Sequence, residues 1–167
     1  MYREGHVGAA LLVYAPLGAT VFVLGFETLA LVGGGVAVAL AMLPDFDQRI
    51  PGIAHRGPTH TVWFALVVRA LGGATGFAVG RSNGVEAIVG LTVFGFLVGF
   101  LTVCSHIAAD ALTPMGITPF APLRTRHYSL DLTRAKNPVA NYALLGIGVL
   151  AVVLALAVGN AIRTGLG

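Results

Sequence analysis

Five long apolar stretches leave this chain very few folds, because each is nearly long enough, or longer than needed, to cross a bilayer. A span takes about 20 apolar residues. Residues 7–26, 28–43 and 139–162 hold no charged side chain, and 59–80 and 85–111 hold few. Inside hydrocarbon the backbone must satisfy its own hydrogen bonds, so each stretch reads as a helix. Pro16 is expected to kink the first helix and Pro44 to end the second. Thr28 and Thr59 stand where the N-caps of the second and third helices belong. Gly72, Gly76 and Gly80, then Gly95 and Gly99, recur at four-residue spacing, which suits close helix packing. The expected fold is all-α, an integral membrane bundle of about five transmembrane helices, with residues 1–167 forming one domain.

Composition agrees. Only 10% of residues are charged and 56% are hydrophobic, whereas a soluble domain carries about 25% charged residues to coat its core. The formal charge of +3 is spread without a basic run interleaved with aromatics, which argues against nucleic acid as a partner. Membrane lipid is the expected surrounding. The single cysteine, Cys104, permits neither an intrachain disulfide nor a cysteine-based zinc site. No small-residue cleavage pattern follows the first apolar run, so it reads as an anchored helix.

The polar residues gather in few places. Residues 43–60, LPDFDQRIPGIAHRGPTH, carry Asp45, Asp47, His55 and His60. His106 and Asp110 lie four apart, hence on one helix face. His6 precedes the first span. Carboxylate oxygens and imidazole nitrogens together suit a divalent ion such as zinc or manganese. Counting spans brings them together. The first helix starts on one side with His6, and the second returns there with Asp45 and Asp47. The third leaves from that side with His60, and the fourth returns with His106 and Asp110. A metal site at one membrane face follows. That side also holds Arg3, Arg49, Arg56, Arg124, Arg126, Arg134 and Lys136, against Arg81 and Arg163 opposite. By the positive-inside bias it is the cytoplasmic side of a multi-pass cell-membrane protein.

Other polar residues read differently. His127 and Asp131 fit a solvated loop. Arg124 and Arg126 suit either an anionic substrate group or lipid headgroups. Arg69 lies within the third span, where a charge is costly, and is expected to face the bundle interior or a wet cavity.

An N-terminal histidine, Leu43-Pro44-Asp45-x-Asp47, His55-Arg56-Gly57-x-Thr59-His60 and His106-x-x-x-Asp110-x-x-Thr113-x-x-Gly116 together resemble the YdjM-type membrane-bound metal-dependent hydrolases. Two positions depart from that pattern: Thr61 stands where serine is frequent, and Gly5 stands before His6 where threonine is usual. The resemblance covers nearly the whole chain and implies a metal hydrolase with a remote likeness to zinc-dependent phospholipases C. His6, Asp45, Asp47, His55, His60, His106 and Asp110 are too many for one tetrahedral zinc with an open position. Two ions sharing Asp45, Asp47 or Asp110 would use them. Arg56 is placed to stabilise charge developing on a phosphoryl oxygen, so it is the candidate catalytic side chain. Thr59 and Thr113 are expected to hydrogen-bond the ligands. Arg124 and Arg126 are candidate substrate contacts. The expected substrate is a phosphoester of a lipid-like molecule, attacked by metal-activated water. A divalent-cation transporter and a non-catalytic metal-binding membrane protein are the alternatives.

Overall fold

The computed structural model describes residues 1–166 and forms five α-helices: α1 (Arg3–Val23), α2 (Glu27–Leu40), α3 (Val62–Gly80), α4 (Val85–Ala111) and α5 (Pro138–Leu166). Short 3₁₀ turns occupy Pro44–Arg49 and Pro58–His60. There is no strand among the described residues, only a single bridge between Ile117 and Tyr128. Five segments are long and apolar enough to cross a membrane, α2 counting together with the 3₁₀ turn that follows it.

Connection length decides which helices pair. The link 24–26 closes α1 onto α2 through Gly25, whose φ of 90° only glycine adopts freely. There Phe26 N–H bonds Val21 O and Gly25 N–H bonds Phe22 O, which satisfies the last carbonyls of α1. The link 81–84 closes α3 onto α4 in the same way. α3 and α4 pack backbone to backbone: a Cβ on Gly72 would strike the carbonyl of Gly95, and one on Gly76 the carbonyl of Leu91. α1 and α5 form the other close pair, with Gly8 against the Leu144 backbone. The long connection 41–61 holds α2 and α3 apart, and both lean on α4 instead.

The bundle is apolar outside and polar at one end. Leu31, Leu71 and Val153 are exposed, while His6, His60 and His106 are wholly buried. Apolar packing of Ala65, Val68, Val103, Ile107 and Ile117 lies beneath the polar end. There the start of α1 meets the start of α5, with Tyr2 N–H donating to Asn141 Oδ1 at 2.9 Å. Glu27 and Arg163 pair at the opposite end, so α5 runs away from the polar face.

Several local expectations change. α1 begins at Arg3, which puts His6 inside a helix, and it continues through Pro16. α2 ends at Leu40, because Pro44 has no N–H to offer the Leu40 carbonyl. Thr28 lies within α2, whose N-cap is Phe26. α3 is capped by Thr61, whose hydroxyl accepts Phe64 N–H, and not by Thr59, which Pro58 places in a 3₁₀ turn. Arg69 faces outward, its guanidinium over the rings of Phe96 and Phe100, and not inward. α5 starts at Pro138, with Asn137 Oδ1 accepting Ala140 N–H.

Candidate metal centre

The break at the end of α2 prepares one half of the site. Asp45 N–H bonds Met42 O and so leaves the Ala41 carbonyl free. His106, on α4, donates its Nδ1–H to that carbonyl at 2.7 Å. A neutral His106 ring therefore presents a bare Nε2 lone pair on its other side.

The loop prepares the other half. The 3₁₀ turn Pro58–His60 sets Thr59 between His60 and Asp47. His60 Nδ1 lies 3.0 Å from Thr59 Oγ1, and the Thr59 hydroxyl donates to Asp47 Oδ2 at 2.9 Å. This relay holds the proton on Nδ1 and leaves Nε2 bare, as the outer partners of metal-binding histidines do. Arg56 has φ of 60°, in the left-handed region. That bend lets its backbone N–H reach Asp47 Oδ2 at 3.1 Å while its side chain turns to Asp110.

Four atoms then converge: Asp45 Oδ1, His60 Nε2, His106 Nε2 and Asp110 Oδ2. His60 Nε2 is 3.3 Å from each of the two carboxylate oxygens, and His106 Nε2 is 3.5 Å from each. The two Nε2 atoms are 3.2 Å apart. Bonds of about 2.0 Å to a tetrahedral zinc set edges of about 3.3 Å between ligands. The two carboxylate oxygens are buried and have no hydrogen-bond partner. Two lone pairs facing each other beside two orphaned carboxylate oxygens are repulsive without a cation between them. These four residues form a group that could hold a metal ion, and the chemistry of the donor set fits one.

Two flanks adjoin this group. On one, His6 stacks on His106 at 3.6 Å between ring centroids. His6 Nε2 lies 3.5 Å from Asp110 Oδ1 and 3.8 Å from Asp45 Oδ2. These are the second oxygens of the same two carboxylates. The amino group of Met1 stands there too, 2.6 Å from Asp110 Oδ1 and 3.0 Å from His6 Nε2, so the flank accepts positive charge. On the other flank Asp47, His55 and His60 form a second group that could hold an ion. His55 Nδ1 lies 3.1 Å from Asp47 Oδ1, and the His55 side chain is 36% exposed, the open edge of the cluster.

Arg56 is almost buried. Its guanidinium reaches Asp110 Oδ1 at 2.8 Å, Thr113 Oγ1 at 3.0 Å and Gly116 O at 2.9 Å. Thr113 in turn donates to Asp110 O, so this arginine and threonine clamp the end of α4. Burial alone would hold the His60 imidazole below its usual 6.5, but Asp110 and Asp45 beside it raise it above that value. Arg124 and Arg126 are exposed, Arg126 lying over the Tyr128 ring. Among the described residues, no hydrogen bond or ion pair joins either arginine to the cluster. Two contributors escape sequence reasoning. The Ala41 carbonyl has no side-chain signature. Asn141 is buried at the head of α5 and ties α1 to α5; a lone asparagine near the start of an otherwise apolar span was the available signal.

A family model described as YdjM inner membrane protein matches residues 1–165, and the chain belongs to that family. No curated protein and no solved structure matches it, so nothing in these comparisons carries the likeness to phospholipase C.

Proposed function

We propose that this member of the YdjM inner membrane protein family is a membrane-bound, metal-dependent hydrolase acting on a phosphoester of a lipid-like substrate. The observation that carries the reading is the set Asp45, His60, His106 and Asp110, buried ligand atoms with the distances from each imidazole to the other and to both carboxylate oxygens between 3.2 and 3.5 Å, and with the partly exposed His55 beside them. We place the first divalent ion, zinc or manganese, among these four. A second would sit beside His6 in place of the Met1 amino group, where Asp45 and Asp110 turn their other oxygens. Divalent ions held by these residues would acidify water and neutralise a phosphoryl oxygen.

The chain's own residues do the rest. Ala41 and Thr59 fix the two imidazoles. Asp47 anchors Thr59, and Arg56 fixes Asp110 from behind. Three carboxylates against the Arg56 guanidinium and the Met1 amino group leave the cluster negative, and divalent ions bound there would make it positive. A positive cluster at a membrane surface favours an anionic ester. His55, at the open edge, is placed to meet an incoming substrate, and Arg124 and Arg126 stand on the exposed loop for its outer charge. The cluster lies at the helix ends and not at mid-membrane, which separates it from the usual transporter arrangement. The basic residues around the site support a cytoplasmic face for it. A cysteine in place of the exposed Arg126, probed with a membrane-impermeant thiol reagent, checks this; labelling from the outer side contradicts it.

The activity is tested with protein loaded with zinc or manganese in nanodiscs, offered phospholipids and simpler phosphoesters. Release of phosphate or of a phosphorylated headgroup that a chelator stops and added ion restores is expected. Loaded protein that turns over no ester contradicts the reading.

A further inference from the structure

Arg69 is the one charged side chain that stands within a span and away from its ends. It is exposed on α3, so its guanidinium faces lipid. A Cβ on Gly99 would meet the Arg69 backbone nitrogen, which sets the two residues level. Phe96 and Phe100, four apart on one face of α4, flank that level and carry the guanidinium over their rings at 5.2 and 5.8 Å. Ring faces attract a cation, but they supply no lone pair to its N–H donors. Among the described residues, no hydrogen bond or ion pair reaches this guanidinium.

An unpaired charge in such a place is costly, and its acceptor has to come from outside the chain. A second copy does not bring one: all seven acids stand in first or last helical turns or in connections. The leaflet does. Trp63, the only tryptophan, is 40% exposed on α3, and tryptophan settles at the headgroup boundary. Arg69 follows six residues later, about 9 Å deeper at 1.5 Å per residue. Gly80, at the far end of α3, is about 16–17 Å away. Side chains on a helix lean toward its N-terminus, and the N-terminus of α3 adjoins His60 at the polar face. The arginine therefore leans toward the headgroups of the site's leaflet, on an apolar stem that lets its head rise.

We infer that Arg69 binds the phosphodiester of a lipid in the leaflet on the site's side, drawing that headgroup below its usual level against the α3–α4 face. A planar guanidinium matches two phosphate oxygens at once. The neighbouring Leu66 and Ala70 are exposed and apolar, so the lipid's glycerol and chains meet no competing polar group there. This lipid lies outside the bundle, and its binding does not depend on the cluster cleaving an ester.

The test uses the full chain in nanodiscs of phosphatidylglycerol with a small share of phosphatidylethanolamine carrying a diazirine on its headgroup amine. Val13 of α1 is the reference. It is exposed at a similar depth, seven residues below His6 as Gly99 is seven below His106, and those two rings stack. A lipid with its diazirine in the tail labels both faces and sets the scale. After illumination, headgroup adducts mapped by mass spectrometry are expected on Leu66 and Ala70 about tenfold above Val13, an enrichment of about 1.4 kcal/mol. Arg69→Gln should bring them down to the Val13 level, and added inorganic phosphate should leave them unchanged. Equal headgroup labelling at Val13, or labelling that survives Arg69→Gln, overturns the proposal. So does loss of the adducts to inorganic phosphate, which would assign the arginine to a free anion. Benzoylphenylalanine in place of Leu66, illuminated in whole membranes, covers the remaining occupant. An adduct to another polypeptide that disappears with Arg69→Gln would mean that a protein carboxylate pairs with the arginine, and would overturn the lipid.

Discussion

His60 and His106 bring their Nε2 atoms to 3.2 Å of each other from elements 46 residues apart in sequence. Each ring has its Nδ1 turned to an acceptor, Thr59 Oγ1 for His60 and the Ala41 carbonyl for His106. Neither can then donate to the other as a neutral ring. The pair makes physical sense as two ligands of one cation, with Asp45 and Asp110 completing the set.

The relay behind His60 gives the first prediction. Thr59→Val keeps the shape of the residue but removes the hydroxyl between His60 Nδ1 and Asp47 Oδ2. Zinc affinity should fall by about 10–100-fold, the usual effect of losing an outer partner. Titration with a competing chelator measures it. Unchanged affinity would show that Thr59 does not orient the ring.

The two flanks differ in a measurable way. His6→Ala should lower the bound ion count from about two to about one, because the second ion shares the far oxygens of Asp45 and Asp110 with His6. His55→Ala should keep both ions, since that ring lies outside both sets. Elemental analysis of the two variants decides, and the opposite pattern would place the second ion with Asp47 and His55.

Much of this arrangement was legible in the sequence. Alternating spans bring His6, Asp45, His60, His106 and Asp110 to one end whatever the helix boundaries, because parity does not depend on where a helix starts. The boundaries themselves are set by finer competition. Thr59 and Thr61 are both good caps in isolation; Pro58 and the demand of Asp47 for a hydroxyl assign Thr59 to the turn and leave Thr61 to α3. Arg69 shows the limit of a rule based on cost alone. Charge in a span usually turns inward, but here Phe96 and Phe100 offer ring faces on the outside. The Ala41 carbonyl could not be read at all, because any residue there would supply the same atom.

Arg56 holds Asp110, Thr113 and Gly116 with one planar fork. Arg56→Lys cannot match those directions. Both Arg56→Lys and Arg56→Ala should lower turnover by about 10–100-fold, the usual effect of losing a group that orients a metal ligand. Steady-state kinetics on ion-loaded protein checks this, and full activity in Arg56→Lys would reduce the arginine to a generic positive charge.

Acid should act in opposite senses on the two forms of the protein. In ion-free protein the folded His60 binds its proton more tightly than the usual 6.5 implies. That contribution to stability is present below 6.5 and is lost as pH rises through the higher folded value. With an ion bound, the proton must leave Nε2, so ion affinity falls as pH drops through the same range. Between mildly acidic and mildly basic buffers, the Tm difference between the unmodified chain and His60→Gln should therefore narrow with pH for chelator-treated protein and widen for zinc-loaded protein. A parallel trend in both forms would contradict the placement of His60 on the ion.

The most direct measurement is anomalous scattering at the zinc edge from crystals of the chain purified without chelator, set beside the same measurement on His106→Ala. The account predicts a peak enclosed by Asp45, His60, His106 and Asp110, a second beside His6, and loss of the first in the variant with the five helices intact. No peak within the cluster in the unmodified chain, even after zinc or manganese is added back, would contradict it.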